Sequence, residues 1–518
     1  MSRAVLFLAT LSLAACTTAP PPATATRPVI TGPQVIPAPA SLTMGAGAPY
    51  EVTRATNIVV DGSSPEVTAI AQGLGALMRK STGFPLVVST ADTAANKIQL
   101  RLAADRASLG EEGYELTAAA NSLTLVANRP AGLFRGVQTI RQLLPFDIDA
   151  QMGSARAAWI IPALTIVDQP RFAWRGAMLD VARHFFTVRE VQQFIDLLAL
   201  YKMNTLHLHL SDDQGWRIVI NSRPKLATIG GSTQVGGGPG GFYTQAEYQA
   251  IVQYAQQRYI TVVPEIDMPA HTNAAIVAYP EVGCSVRPTA LYTQTDVGWS
   301  ALCVEKEETY ALADDIIREI SAITPGPYFH IGGDEVQALT NEQYVRIVER
   351  LQTIVNKYGK KMIGWEEITK AKLKPATIAQ MWKSDSVTAA LSYGSKLILS
   401  PATHAYLDMQ YTPETELGLH WSGYVEVRDA YDWNPLTFAT GLTESNVLGI
   451  EAPIWGETVR NIGAVNYMSV PRLPALAEVG WTPQAARDWE GFRSRIAAHA
   501  PRWRYLGVNY YPSPQIPW

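Results

Sequence analysis

The spacing of apolar positions changes character near residue 170. Before it, short apolar runs at 57–60, 98–102 and 123–126 read as strands. Between the first two, Ser64 and Pro65 open a helix whose stripe is Val67, Ile70, Leu74, Leu77 and Met78. Residues 132–144 repeat the helical spacing. No cluster of acids, histidines or serines interrupts this half, so residues 29–167 read as a supporting α+β domain.

From Arg171 the pattern becomes strand, loop, helix, repeated. Apolar runs at 177–181, 205–210, 261–266, 328–331, 362–365, 377–382, 396–399 and 447–450 predict eight strands. Several following helices open on capping boxes, in which a hydroxyl and an acid or amide three residues later satisfy free backbone amides. Thr187 with Glu190, Thr244 with Glu247 and Thr340 with Gln343 fit. After Thr187, the stripe Val191, Phe194, Ile195 and Leu198 has helical period and faces a sheet. Eight strands alternating with helices over residues 168–518 predict a (β/α)8 barrel, with a doubly wound open sheet as the alternative.

Composition narrows the chemistry. A formal net charge of −4 and 17% charged residues offer no nucleic-acid surface and no polybasic membrane patch. An uncharged substrate fits better. Thirteen Trp and 22 Tyr supply aromatic faces of the kind that stack on sugar rings. Residues 1–15 carry an export signal: Arg3, a short apolar core from Ala4 to Leu13, then small residues. That core is too short to span a bilayer. Leu13-Ala14-Ala15-Cys16 resembles a lipobox, which makes Cys16 the lipidated first residue and 16–28 a Thr/Pro/Ala-rich tether; a plain secretory signal is the alternative. By the same resemblance Thr18, rather than Asp, favours the outer membrane, so the expected location is a lipoprotein at the outer membrane or in the periplasm. Cys284 and Cys303 are then an even pair in an exported chain, so a disulfide closing a loop of about 20 residues is expected, worth roughly 3 kcal/mol.

In a barrel, reactive groups gather at the C-terminal strand ends. Asp180 and Arg183 follow the first strand, and Asp212 the second. Glu265, Asp267 and His271 follow the third, and Asp334 with Glu335 the fourth. Trp365 and Glu366 end the fifth and Trp382 the sixth. Tyr406 and Asp408 lie beyond the seventh, Trp455 and Glu457 beyond the eighth. Every strand end carries acids, aromatics or both, which describes a sugar pocket. The adjacent pair Asp334-Glu335, at the end of an apolar run, suits acid/base chemistry because burial can push two carboxyl groups apart in pKa. Solvated acids in a strand-end turn are the alternative for that segment.

Four stretches strengthen this reading: Trp-Arg-Gly-Ala-Met-Leu-Asp-Val-Ala-Arg-His-Phe-Phe at 174–186, Leu-His-Leu-His-Leu-Ser-Asp-Asp-Gln-Gly-Trp-Arg at 206–217, His-Ile-Gly-Gly-Asp-Glu at 330–335 and Gly-Trp-Glu-Glu at 364–367. Together the chain resembles bacterial β-N-acetylhexosaminidases of glycoside hydrolase family 20, from about residue 30 to the end. A small departure is Ala270 in Pro269-Ala270-His271, where many relatives have Gly. The resemblance implies a retaining exo-hydrolase of terminal GlcNAc or GalNAc, in which the substrate's own acetamido group is the nucleophile. It makes Glu335 the general acid/base and Asp334 the holder of the acetamido nitrogen. Tyr406 goes to the acetamido oxygen, and Trp365, Trp382 and Trp455 become pocket walls. Arg183, Asp408 and Glu457 bind hydroxyls, while Asp212 and His271 orient Glu335. No cofactor or metal is implied.

Other readings stay open at this point. Arg183 could simply neutralise acids, and His271 could be a loop-capping histidine. His207 and His209 fit barrel packing better than metal ligation. The glycine-rich stretch 230–241 lacks the Lys-Ser/Thr of a phosphate cradle and reads as a mobile surface loop. Glu366 and Glu367 read as supports for Trp365. A lacto-N-biosidase-type enzyme and a non-catalytic glycan-binding lipoprotein are the functional alternatives. Chitin oligosaccharides, N-glycan antennae and peptidoglycan fragments all expose the same terminal sugar.

Overall fold

The computed structural model describes residues 32–62, 64–91, 93–156 and 158–518. The signal, Cys16 and the tether read from the sequence lie outside the described residues. Eight parallel strands form a closed barrel: β1 (Trp174–Asp180), β2 (Thr205–His209), β3 (Thr261–Glu265), β4 (Tyr328–His330), β5 (Lys361–Trp365), β6 (Ile378–Met381), β7 (Lys396–Leu399) and β8 (Val447–Ile454). Each pairs with the next, and β8 returns to β1 with Trp174 opposite Gly449 and Leu179 opposite Ile454. That closure excludes the open doubly wound sheet.

Side chains alternate along each strand, so one set points into the barrel and the other toward the helices. In β2, Leu206 and Leu208 join the large apolar core outside the strands, while His207 and His209 meet buried acids. A separate small cluster, Trp174, Val263, Ile363, Ile378 and Ile398, packs apart from that core. All three capping boxes form, opening helices Val188–Leu200, Gln245–Gln256 and Asn341–Lys357.

The preceding domain holds a seven-stranded sheet ordered Ser41–Met44, Leu164–Asp168, Tyr114–Ala119, Ser122–Ala127, Lys97–Leu102, Asn57–Val60, Val88–Ser89. Helices Pro65–Thr82 and Pro130–Leu143 pack on it around a core of their own. Three of these strands follow the apolar runs in the sequence. Tyr114–Ala119 does not, because only Tyr114, Leu116 and Ala118 of its alternating face are buried, and Ala and Glu are weak strand formers.

The seam between the two halves is buried and ionic. Lys202 Nζ donates to Asp168 at 2.9 Å, with both side chains fully buried. Glu112 joins Arg135 at 2.8 Å and Arg175 at 2.6 Å. Burial pushes Glu112 up, but Arg175 and Arg135 overcome it and hold the carboxyl near 2.

Candidate active site

β4 is three residues long, and two glycines turn its end into the barrel mouth. Gly332 has φ +70° and Gly333 φ +98°. A Cβ on Gly332 would lie 1.8 Å from Asp267 Oδ1, and one on Gly333 2.9 Å from Ile368 Cγ2, so no side chain fits. The turn delivers Asp334 and Glu335. Glu335 and His271 themselves occupy the left-handed region, at φ +52° and +54°. Such conformations cost on the order of 1–3 kcal/mol and persist where surrounding contacts enforce them.

Asp334 and Glu335 share a cavity of about 600 Å³ with Arg183, Trp365, Trp382, Tyr406, Asp408, Trp455 and Glu457. All nine are cavity-lining residues the sequence pointed to. The aromatic members contact one another: Trp365 and Trp455 at 5.7 Å between ring centroids, Tyr406 and Trp455 at 6.5 Å. Exposure runs in one direction. Arg183 and Asp408 are 3% and 2% exposed, the Glu335 side chain 35% and Trp421, another lining residue, 54%. The cavity therefore has a closed, charged end and an open, aromatic mouth.

At the closed end Arg183 lies 2.9 Å from Asp212, 3.2 Å from Asp180 and 4.0 Å from Glu457. Its guanidinium also covers the Trp455 ring at 5.0 Å. Burial, and after it the neighbouring Glu457, pushes Asp408 up to about 8. Among the described residues, Asp334 Oδ1, Asp408 Oδ2 and Glu457 Oε2 are buried without a hydrogen-bond partner. Buried acceptors of this kind ask for donors, which sugar hydroxyl and amide groups supply. Burial also pushes Asp334 up to about 7, against the pull of His271.

Behind Glu335 stands His271, its Nε2 3.5 Å from the Glu335 carboxylate and 3.7 Å from Asp334. Its Nδ1 faces Asp212 Oδ1 at 3.2 Å. Burial alone would favour neutral forms of both partners. Arg183 and His271 nevertheless hold Asp212 well below the usual carboxylate range, and Asp212 and Asp267 hold His271 well above the usual imidazole value. The pair is a charged brace in contact with the two acids, so His271 is not a mere loop cap.

Two sequence readings need correction. The stretch 230–241 is tied down: Arg217 donates to the carbonyls of Gly231 and Gly241 at 3.3 and 3.1 Å, and Val235 N donates to Arg183 O at 2.9 Å. It braces the arginine of the site because buried Arg217 needs those carbonyls as acceptors. Glu366 and Glu367 support Trp382 rather than Trp365. Glu367 accepts the Trp382 indole N–H at 3.2 Å, and Glu366 accepts the backbone N–H of Lys383 at 2.8 Å. The Trp365 indole donates instead to Glu265 at 3.0 Å.

Other lining residues gave no signal in the sequence. Trp421 comes from the long irregular stretch between β7 and β8, and Thr295 and Val297 from the loop closed by the Cys284–Cys303 disulfide. His207, Glu265 and His330 lie close enough together to suggest metal ligation. Here the histidine nitrogens face the Glu265 carboxylate directly, His207 Nε2 at 3.0 Å from one oxygen and His330 Nδ1 at 2.9 Å from the other.

A barrel mouth with an acid pair, an aromatic box and a closed, charged end is the arrangement expected of a glycoside hydrolase. Comparison with known proteins makes the class specific. The family model "Glycosyl hydrolase family 20, catalytic domain" matches residues 172–484, and that family's domain 2 matches residues 32–169. The chain belongs to glycoside hydrolase family 20. It is 43% identical to a β-N-acetylhexosaminidase of Cellulomonas fimi over 489 residues, 93% of this chain and 97% of that one. The family 20 β-N-acetylhexosaminidase structure from Streptomyces coelicolor superposes with TM-score 0.90 at 49% identity, covering 94% of this chain and 98% of the other. A mutant β-hexosaminidase from Streptomyces plicatus, solved with its product GlcNAc, matches with the same TM-score at 48% identity over 95% of this chain and all of the other.

Proposed function

We propose that this protein is an exo-acting β-N-acetylhexosaminidase that releases terminal GlcNAc with retention of configuration. The carrying observation is the one-way cavity. Its blind end presents Arg183, Asp408 and Glu457, so it takes the non-reducing end of a chain and nothing beyond it. A site removing a disaccharide would need that end open, and a pure binder would need no acid beside an amide-holding carboxylate.

In this reading Asp334 accepts the acetamido N–H and Tyr406 donates to its carbonyl oxygen. That orients the oxygen to attack the anomeric carbon while Trp365, Trp382 and Trp455 enclose the methyl group and ring. Glu335 protonates the departing glycosidic oxygen. The resulting oxazolinium ring is opened by water that Glu335 deprotonates, and two inversions at one carbon give net retention. Adjacent Asp334 and Glu335 suit this scheme, because a protein nucleophile would have to face the bond from the side opposite the acid. His271, kept cationic by Asp212, stabilises the carboxylate left when Glu335 gives up its proton. No step calls on a metal or cofactor.

Glu335→Gln tests the assignment. It should fold as the parent does and lose about 10²–10⁴-fold in turnover of 4-methylumbelliferyl N-acetyl-β-glucosaminide, with a smaller loss on the 2,4-dinitrophenyl glycoside, whose leaving group needs no proton. Asp334→Ala should bind a thiazoline mimic of the intermediate poorly. Full activity in the first variant, or tight thiazoline binding in the second, removes the basis of the mechanism.

The same reading places the enzyme outside the cytoplasm, anchored through a lipid on Cys16 at the outer membrane or in the periplasm. The signal-like residues 1–15 and the lipobox-like residues around Cys16 support this. Among the described residues no helix is long and apolar enough to cross a membrane. Its substrates are then neutral-ended glycans: chitin oligosaccharides, N-glycan antennae or peptidoglycan fragments.

A further inference from the structure

Glu265 ends β3 inside the barrel, fully buried, and the mechanism above does not use it. One carboxylate oxygen is paired with His209 Nδ1 and lies 3.0 Å from His207 Nε2. The other lies 2.9 Å from His330 Nδ1 and accepts the Trp365 indole N–H at 3.0 Å. Two of these contacts lead to the active site by different routes. His209 passes its other nitrogen to Asp212 at 2.8 Å, and Asp212 holds His271 behind Glu335. Trp365 is itself a cavity wall. Below, His207 Nδ1 meets Glu451 at 2.8 Å, and Glu451 also accepts from Gln380 and Trp174, both at 2.9 Å. Burial opposes charge on every member, yet the histidines hold Glu265 well below the usual carboxylate range, and the acids push His207 up to about 9. Such a compact ionic core is costly to assemble and does little for stability by itself.

We propose that Glu265 is a positioning residue that couples the two halves of the reaction: through His209 and Asp212 it sets the proton-transfer arm, and through Trp365 it sets the pocket that aims the acetamido nucleophile. One carboxylate between both arms fixes their relative placement. An error of an ångström there is enough to slow an oriented intramolecular attack.

The inference rests on Glu335 being the acid, and the experiment separates the two. Glu265→Gln preserves shape and removes the charge. It should lower kcat on the 4-methylumbelliferyl glycoside by roughly 10- to 100-fold, a part of what positioned proton transfer contributes, and should also weaken thiazoline binding. The arms should then split. His209→Gln should reduce kcat on poor leaving groups while leaving KM and thiazoline affinity unchanged. Trp365→Phe, which removes only the indole donor and part of the ring, should weaken thiazoline binding without changing leaving-group dependence. In an Asp212→Asn background, Glu265→Gln should add only the Trp365-dependent loss, which falls alike on poor and good leaving groups, since the proton-transfer path is already cut.

Equal losses from Glu265→Gln with and without Asp212→Asn, or equal losses on good and poor leaving groups, overturn the coupling. If Glu265→Gln does not fold, His209→Gln in the same two backgrounds decides the question, because it severs the link while leaving Glu265 beside His207 and His330. If Glu335→Gln shows no leaving-group dependence, the acid assignment has failed. If it does and the Glu265 and His209 variants do not, only the coupling has failed.

Discussion

Asp408 should make the folded protein less stable as pH rises, and Asp408→Asn should relieve that. Burial and the nearby Glu457 raise its carboxyl from 3.8 to about 8. In the unfolded chain the group ionises near its ordinary value, so between those two values the folded state holds a proton that the unfolded state has lost. Stability then declines with pH across that window, because the unfolded state is the one relieved by deprotonation. At about 1.4 kcal/mol for each pH unit, the penalty is about 1 kcal/mol near pH 4.5 and about 4 kcal/mol near pH 7. Asparagine cannot ionise and keeps an oxygen for the Trp455 backbone N–H, which Asp408 Oδ1 accepts at 3.3 Å. The variant should gain about 3–4 kcal/mol over the parent near pH 7 and about 1 kcal/mol near pH 4.5. At roughly 2 cal/mol/K per residue, a chain this long converts that to about 3–4 °C and about 1 °C in Tm. Activity should move the other way, since the amide does not reproduce the protonated carboxyl proposed to bind a sugar hydroxyl, as expected where function costs stability. Thermal unfolding of both proteins at the two pH values, with kcat/KM alongside, is sufficient. A variant less stable than the parent near pH 7, or stabilised equally at both pH values, would refute the reasoning.

Three further outcomes can be checked together. Replacing Cys284 and Cys303 by Ser opens a loop with 19-residue separation and should cost about 3 kcal/mol; because that loop supplies Thr295 and Val297 to the cavity, KM for chitobiose should rise more than KM for a nitrophenyl glycoside. Lys202→Met leaves Asp168 buried without its cation and should lower stability by about 3 kcal/mol, with Asp168→Asn restoring most of the loss in the double variant; no rescue would mean that packing, not charge, dominates the seam. Mass spectrometry of protein from the producing cell should find a lipidated N-terminal Cys16, and Cys16→Ala should release the enzyme into the soluble fraction; a soluble parent protein refutes the anchor.

The barrel was legible because its signals are local. Each strand is a short apolar run and three helices announce their starts by capping boxes, so all eight strands could be placed within a few residues. The cavity was legible for a related reason. Strand ends in a barrel converge by geometry, so polar residues just after apolar runs can be grouped without knowing any distance. What stayed hidden depends on contacts between distant segments. Trp421 sits in an irregular stretch between β7 and β8, and nothing near it in the chain says that it meets Trp382 at 5.7 Å and Tyr406 at 5.8 Å. The glycine-rich stretch 230–241 looked mobile because its own composition is that of a loop; Arg217, whose guanidinium anchors it, gives no such hint.

Glu265 marks the deeper limit. In the sequence it is one acid at the end of a strand, and such residues usually face the mouth. Here its partners His207, His209, His330 and Trp365 come from β2, β4 and β5, so the cluster exists only once the barrel closes. Closing it places a carboxylate where water cannot reach, and the fold tolerates that only because three imidazoles and an indole converge on the same two oxygens. A merely structural role is the weaker account, since apolar residues would fill that layer at lower cost, as they do with Val263, Ile363 and Ile398 elsewhere in these strands. The difference between the two layers is what each one touches: the ionic one is hydrogen-bonded to a cavity wall and, through two residues, to the histidine behind the acid, whereas the apolar cluster meets the ionic one at Trp174, which donates to Glu451. A buried polar cluster that is hydrogen-bonded toward both arms of the site is what a positioning function requires.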